Sequence, residues 1–131
     1  MQSVDCCHLL FDDAVVLVMK TSSAKAKGRR LAQAVKDALL MWAPDKLRVD
    51  DIQVVSSGVP GKDLLLSPAA QEIYPLAIEC KNQETLNIWK ALAQAFSNAS
   101  QHEFPVVCFS RNREGRVYIA MDLQHFLKLI R

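Results

Sequence analysis

Asp63, Glu79 and Lys81 are the residues whose types and spacing could do chemistry. Glu79 and Lys81 belong to the tetrapeptide Ile78-Glu79-Cys80-Lys81. Read as a strand, it points the acid and the amine to one face and Ile78 and Cys80 to the other. Asp63 opens a second apolar run, Leu64-Leu65-Leu66, at an edge where a polar side chain still reaches water. A hairpin pairing of the two strands would bring Asp63, Glu79 and Lys81 together at one end of a sheet. Two carboxylates beside an ammonium suit a hard divalent cation, which takes oxygen ligands at about 2.0–2.1 Å if it is magnesium. The lysine would then orient or polarise a water beside the metal.

Asp63, fifteen intervening residues and then Glu79-Cys80-Lys81, with Gly61-Lys62 leading in, resembles the motif of the PD-(D/E)XK nuclease superfamily. The likeness runs from about Lys25 to Arg131 and is greatest to small phage-type and archaeal-type Holliday junction resolvases. It implies an α/β fold with a restriction-endonuclease-like core, a central mixed sheet of about five strands flanked by helices. It also implies a DNA endonuclease selective for branched or duplex DNA, active as a homodimer in phage recombination or DNA packaging. Magnesium, or manganese in its place, would be held by Asp63, Glu79 and the backbone carbonyl of Cys80. Related nucleases offer a glutamate from the first helix. Here Gly28-Arg29-Arg30-Leu31-Ala32-Gln33 contains no acid, and Gln33 is the nearest polar candidate. They also place a glutamine or lysine from the second helix near the scissile phosphate, a role that falls to Gln94.

Size and composition are compatible with that reading. A chain of 131 residues is one domain with room for a core that needs no metal or disulfide staple. Its longest apolar run, Ala14 to Met19, is far too short to span a bilayer. No Lys or Arg precedes Lys20, so the start does not read as a secretory signal. An intracellular, cytoplasmic protein is expected, in a bacterium or a phage-infected host cell. Cys6-Cys7-His8 lacks zinc-ligand spacing, and Cys80 and Cys108 read as small core residues. Net charge is only +2, yet it is uneven: Lys20 to Arg48 holds eight Lys or Arg against Asp37 and Asp45. Arg111, Arg113 and Arg116 form a second cluster. A basic rim around an acidic centre attracts phosphates while holding a metal.

The elements that must position these residues follow from periodicity and punctuation. Residues 1–22 form an N-terminal extension, an accessory strand or a tail, ahead of a single domain over 23–131. Ser22 or Ser23 reads as the N-cap of a helix over Ala24–Met41 with a stripe of Leu31, Val35, Ala38, Leu39 and Trp42. Lys25, Lys27, Arg29 and Arg30 crowd its first turns, either as a solvated face or as phosphate contacts. Strands are expected over Val49–Ser56, Asp63–Leu66 and Pro75–Lys81. The loop between the first two carries Ser57, which could approach a phosphate, as could Lys62. A short helical turn with Pro68 at its first position precedes the third strand. A second helix runs from Glu84 or Thr85 to about Ala99, its buried stripe Leu86, Trp89, Leu92, Ala93 and Phe96. Asn87, Lys90 and Gln94 share its other face and could lean over the site. Strands at Pro105–Phe109 and Val117–Ala120 and a helix over Leu123–Ile130, capped by Asp122 with Phe126, Leu127 and Ile130 inward, complete an αβββαββα order.

The reaction these residues suit is metal-dependent phosphodiester hydrolysis. Bound metal lowers the pKa of a water and neutralises charge on the phosphate, and Lys81 stabilises the charge that grows there. The alternative is a non-catalytic DNA-binding or assembly protein that keeps the fold, and the lack of an acid over Gly28–Gln33 favours it.

Overall fold

A computed structural model describes residues 24–56 and 59–131. The expectations for residues 1–22, for the capping serines at 22 and 23, and for Ser57 lie outside them. Helix α1 (Ala24–Met41) leads through a short 3-10 turn (Val49–Asp51) into β1 (Ile52–Val54) and β2 (Leu64–Leu66). There follow α2 (Pro68–Ile73), β3 (Leu76–Asn82), α3 (Ile88–Asn98), β4 (Phe104–Ser110), β5 (Tyr118–Ala120) and α4 (Leu123–Leu129). The class is α/β and the expected element order holds, with α2 as the turn before the third strand.

The sheet differs from the expected continuous five strands. β1 and β2 form an antiparallel pair, and β3, β4 and β5 form a separate mixed sheet with β4 in the middle. β3 runs parallel to β4, joined by α3 as a βαβ unit, while β5 returns antiparallel. β2 therefore pairs with β1, not with β3. The reason is local. Where a ladder would continue from β2 to β3, Asp63 takes over: its N–H donates to the Ile78 carbonyl, and its Oδ2 accepts the Cys80 N–H at 2.7 Å. One side-chain carboxylate thus stands in for a strand carbonyl on the outer edge of β3.

Strand alternation divides the core. Ile78, Val106 and Cys108 face α1 and meet Leu31, Ala32 and Val35, with Ile52 and Leu64 in the same cluster. Val107 faces α3 and meets Ala91 and Ala95, flanked by Ile88, Leu92 and Phe109. α3 is held at its start by Asn87, whose side chain accepts the Lys90 N–H, and α2 by Ser67, which accepts the Ala70 N–H. Asp122 caps α4 by accepting the His125 N–H.

Three expected buried stripes shift. Trp89 is 79% exposed and Phe96 49% exposed, because the buried row on α3 is Ile88, Ala91, Leu92 and Ala95. The two alanines let the helix approach Val107, which turns the indole outward. On α4, Phe126, Leu127 and Ile130 are 42–63% exposed, so that helix is not buried as expected. Trp42, at the end of the α1 stripe, is also about half exposed. The contrast has a measurable consequence. Leu31→Ala, at a fully buried position, should cost about 3 kcal/mol of unfolding free energy. Trp89→Ala should stay within about 0.5 kcal/mol. Urea denaturation with an equal or larger loss for Trp89→Ala would contradict this core.

Candidate functional site

The site is built on β3. Glu79 and Lys81 alternate with Ile78 and Cys80, so they lie on the α3 face, with Glu79 beside Val107 and Lys81 beside Phe109 on the neighbouring strand. Glu79 is only 3% exposed, packed under α3 beside the buried Val107. Lys81 Nζ lies 3.5 Å from Glu79 Oε2, so the acid and the amine form an ion pair within one strand. Burial, and next to it the negative charge of Asp63, pushes the Glu79 carboxyl above its ordinary range; Lys81 and the nearby Asn98 amide oppose that rise. Asn98 donates to the Gly61 carbonyl at 3.2 Å, and Glu79 Oε1 is left buried without a hydrogen-bond donor. A desolvated acid with an orphaned oxygen, beside a second carboxylate, holds negative charge that one lysine only partly offsets.

Asp63 reaches this point from β2 without a hairpin. Its carboxylate lies along the edge of β3, fixed by the Cys80 N–H, near enough to Glu79 for the two charges to interact. The other side of Asp63 borders a small cavity of about 110 Å³ with Cys80 and with Lys25, Gly28 and Arg29 from the first turns of α1. Two of the basic residues expected at the rim are thereby placed beside an acid of the site.

These groups suit a hard cation in part. Among the described residues no group of three or more His, Cys, Asp or Glu side chains is gathered to hold a metal. Asp63 and Glu79 are two carboxylates whose charges interact, Glu79 on the α3 face and Asp63 at the strand edge bordering the α1-side cavity, with no third acid beside them among the described residues. Magnesium is commonly held in that way, by one or two carboxylates with waters and substrate phosphate completing its octahedron. The orphaned Oε1 of Glu79 is the donor that such an ion would satisfy. Gln33, the nearest polar candidate on α1, does not border the cavity beside Asp63. It is exposed and donates to Asp37 at 2.9 Å, one turn along α1.

On the α3 side, Lys81 opens into a cavity of about 310 Å³ that it shares with Gln83, Thr85, Asn87, Lys90 and Gln94. The expected polar face of α3 thus does lean over the lysine. Asn87 has a structural duty there as the helix cap. Lys62 is differently engaged from the phosphate contact expected of it: its ammonium pairs with Glu103 at 2.5 Å. Burial disfavours the Glu103 anion, but Lys62 and the Ser100 N–H outweigh it and hold the carboxyl below its ordinary value. Lys27, Arg30, Arg111 and Arg113 do not border either cavity beside the acids. Arg111 borders a third cavity farther along the sheet, and Arg113 adopts a left-handed φ of 64° in the loop before β5.

Asn98 and Glu103 were not singled out from the sequence. A signal for Asn98 existed, since the row Asn87, Lys90, Gln94 extended by four residues ends on it. None existed for Glu103, whose partner is forty-one residues away. Among the described residues, burial raises the Cys80 thiol and pushes Cys108 up to about 12, so neither is a nucleophile near neutral pH. Among the described residues no helix is long and apolar enough to cross a membrane. The chain matches no family model, and no curated protein or solved structure matches it either.

Proposed function

We propose that this chain is a metal-dependent DNA endonuclease of the PD-(D/E)XK type, with a restriction-endonuclease-like core and structure-selective, resolvase-like action on branched or duplex DNA. The observation that carries the reading is Glu79: buried, paired with Lys81, charge-coupled to Asp63, and keeping one oxygen without a donor. A strand buries a carboxylate in this way at a cost, which a cation at that oxygen would offset.

Asp63 and Glu79 would hold magnesium or manganese, with the Cys80 carbonyl as a further ligand. The N–H and C=O of one strand residue face the same edge, and the Cys80 N–H faces Asp63. Bound there, the ion would supply a water of lowered pKa and positive charge for the phosphate. The chain's own residues do the rest. Lys81 orients the attacking water and stabilises the charge that grows on the phosphoryl oxygens. Gln94 and Lys90, across the cavity from Lys81, position the phosphate and its neighbour, and Lys25 and Arg29 attract the backbone on the α1 side. Cutting both strands of a junction calls for two such sites, hence a symmetric homodimer. The exposed apolar residues of α4, Leu123, Phe126, Leu127 and Ile130, are the surface we propose for it.

A second reading rests on the lack of an acid in the Gly28–Gln33 stretch of α1, where related nucleases offer a glutamate. A protein that keeps the fold to bind DNA, with Lys81 serving as the permanent counter-charge of Glu79, would show the same ion pair. Parallel assays on supercoiled plasmid, four-way junction, flap, linear duplex and RNA, with and without Mg²⁺, separate the two. The endonuclease reading predicts metal-dependent cutting, strongest on branched DNA, by a species that sediments as a dimer at micromolar concentration. Tight DNA binding with no cutting in either metal would establish the non-catalytic reading.

A further inference from the structure

The sheet register carries a second feature across from the catalytic strand. Lys81 stands opposite Phe109 of β4, and Phe109 stands opposite Tyr118 of β5. Paired residues of neighbouring strands share a face, so Lys81, Phe109 and Tyr118 form one row across the sheet on the α3 side. Strands lie about 4.8 Å apart, which places Tyr118 about 10 Å from Lys81. The Phe109 and Tyr118 rings meet at 5.9 Å and 33°, so one aromatic backs the other. Tyr118 remains 44% exposed, and beside it opens a cavity of about 370 Å³ with Gln83, Leu86, Ser110 and Arg111 on its walls.

That cavity and the one over Lys81 share Gln83 and Leu86. Together they make a trough along the carboxyl ends of the parallel strands β3 and β4, where open α/β sheets take their ligands. Its chemistry alternates. Lys81, Lys90 and Gln94 lie at one end, a half-open aromatic face in the next position, and Arg111 borders the cavity beside that face. Two acids also border it, and both are engaged by backbone: Glu84 Oε1 accepts the Asn112 N–H at 2.9 Å, and Glu114 Oε1 accepts the Arg116 N–H at 3.3 Å.

We propose that this trough is a track for an unpaired polynucleotide strand, with Tyr118 as the stacking platform for a base near the phosphate held at Lys81, and Arg111 as a contact to the next phosphate. A flat π face with cations lining the same trough suits a single strand, because every base offers a π face while a paired base is covered by its neighbours. The inference rests on the endonuclease reading for the position of the scissile phosphate, and narrows its substrate to DNA with a splayed or unpaired strand beside the cut.

The test is fluorescence anisotropy of a labelled dodecamer of thymidylate, in EDTA so that nothing is cut, alongside a duplex of equal length. The unaltered chain should prefer the single strand. Tyr118→Ala should weaken its binding about tenfold, whereas Tyr118→Phe should keep it, which separates loss of stacking from loss of fold. Arg111→Ala should reduce the dependence of log affinity on log salt by about 0.7. Equal affinity of Tyr118→Ala and the unaltered chain, or an equal preference for the duplex, would overturn the track. Plasmid cutting by the unaltered chain together with that result leaves the endonuclease and removes the track. Tyr118-dependent binding without any cutting does the reverse.

Discussion

On the proposed endonuclease reading, Lys81→Ala is expected to slow metal-dependent DNA cutting by about 10²–10³-fold while leaving the protein folded. The magnitude is that of removing one preorganised donor from a site where charge develops. The fold survives because Lys81 sits near the mouth of its cavity, with its side chain 23% exposed, and packs no core. Its loss has a second signature. Lys81 is one of the influences that lower Glu79, so without it the acid ionises at a still higher pH. The acid limb of the residual activity should therefore move upward. Lys81→Arg keeps the charge but replaces a compact ammonium by a broad fork, and should restore the pH limb better than the rate. A rate within a factor of about three of the unaltered chain for Lys81→Ala would remove the lysine from the proposed reaction.

Glu79→Gln has the opposite consequences for activity and stability. Cutting should be lost, since one of the two carboxylates is gone. Stability at neutral pH should rise, because the buried anion is disfavoured in the folded state, first by burial and then by Asp63. The sign follows from linkage. The folded protein holds the Glu79 proton to higher pH than the unfolded chain, so stability falls as pH climbs from the ordinary carboxylate range through the raised value. The glutamine variant has no such fall. Its gain in melting temperature should be present at pH 7 and vanish near pH 4. A variant less stable than the parent at pH 7 would mean that Glu79 is satisfied by its surroundings, and that the acid is structural.

Much of the scaffold was legible because its signals are local. Helix α1 ends where its stripe and punctuation place it, α2 starts on Pro68, and the capping role of Asp122 follows from a side chain that accepts the amide proton three residues on. Glu79 and Lys81 were readable as neighbours because period-two alternation fixes them on one face. What eluded the sequence depends on partners far along the chain. The hairpin expected between β2 and β3 is replaced by the Asp63 carboxylate on the edge of β3, and no pattern of apolar residues distinguishes a ladder from a side-chain mimic of one. Trp89 was expected inside because large residues dominate a count of apolar stripes. The structure instead selects the alanines of α3, which let the helix lie close to Val107. Lys62 reads as a free cation until Glu103 arrives from forty-one residues downstream.

The account depends on Asp63 and Glu79 sharing a cation beside Lys81. The most direct measurement is nicking of supercoiled plasmid by the unaltered chain and by Asp63→Asn, across a Mg²⁺ titration. Asparagine can still accept the Cys80 N–H through its amide oxygen, so the edge of β3 is preserved while the negative charge is removed. The account predicts metal-dependent nicking by the unaltered chain, and a loss of at least about 10²-fold in the variant that added Mg²⁺ restores only in part. Nicking that needs no divalent metal, or that proceeds equally well with asparagine at position 63, would contradict it.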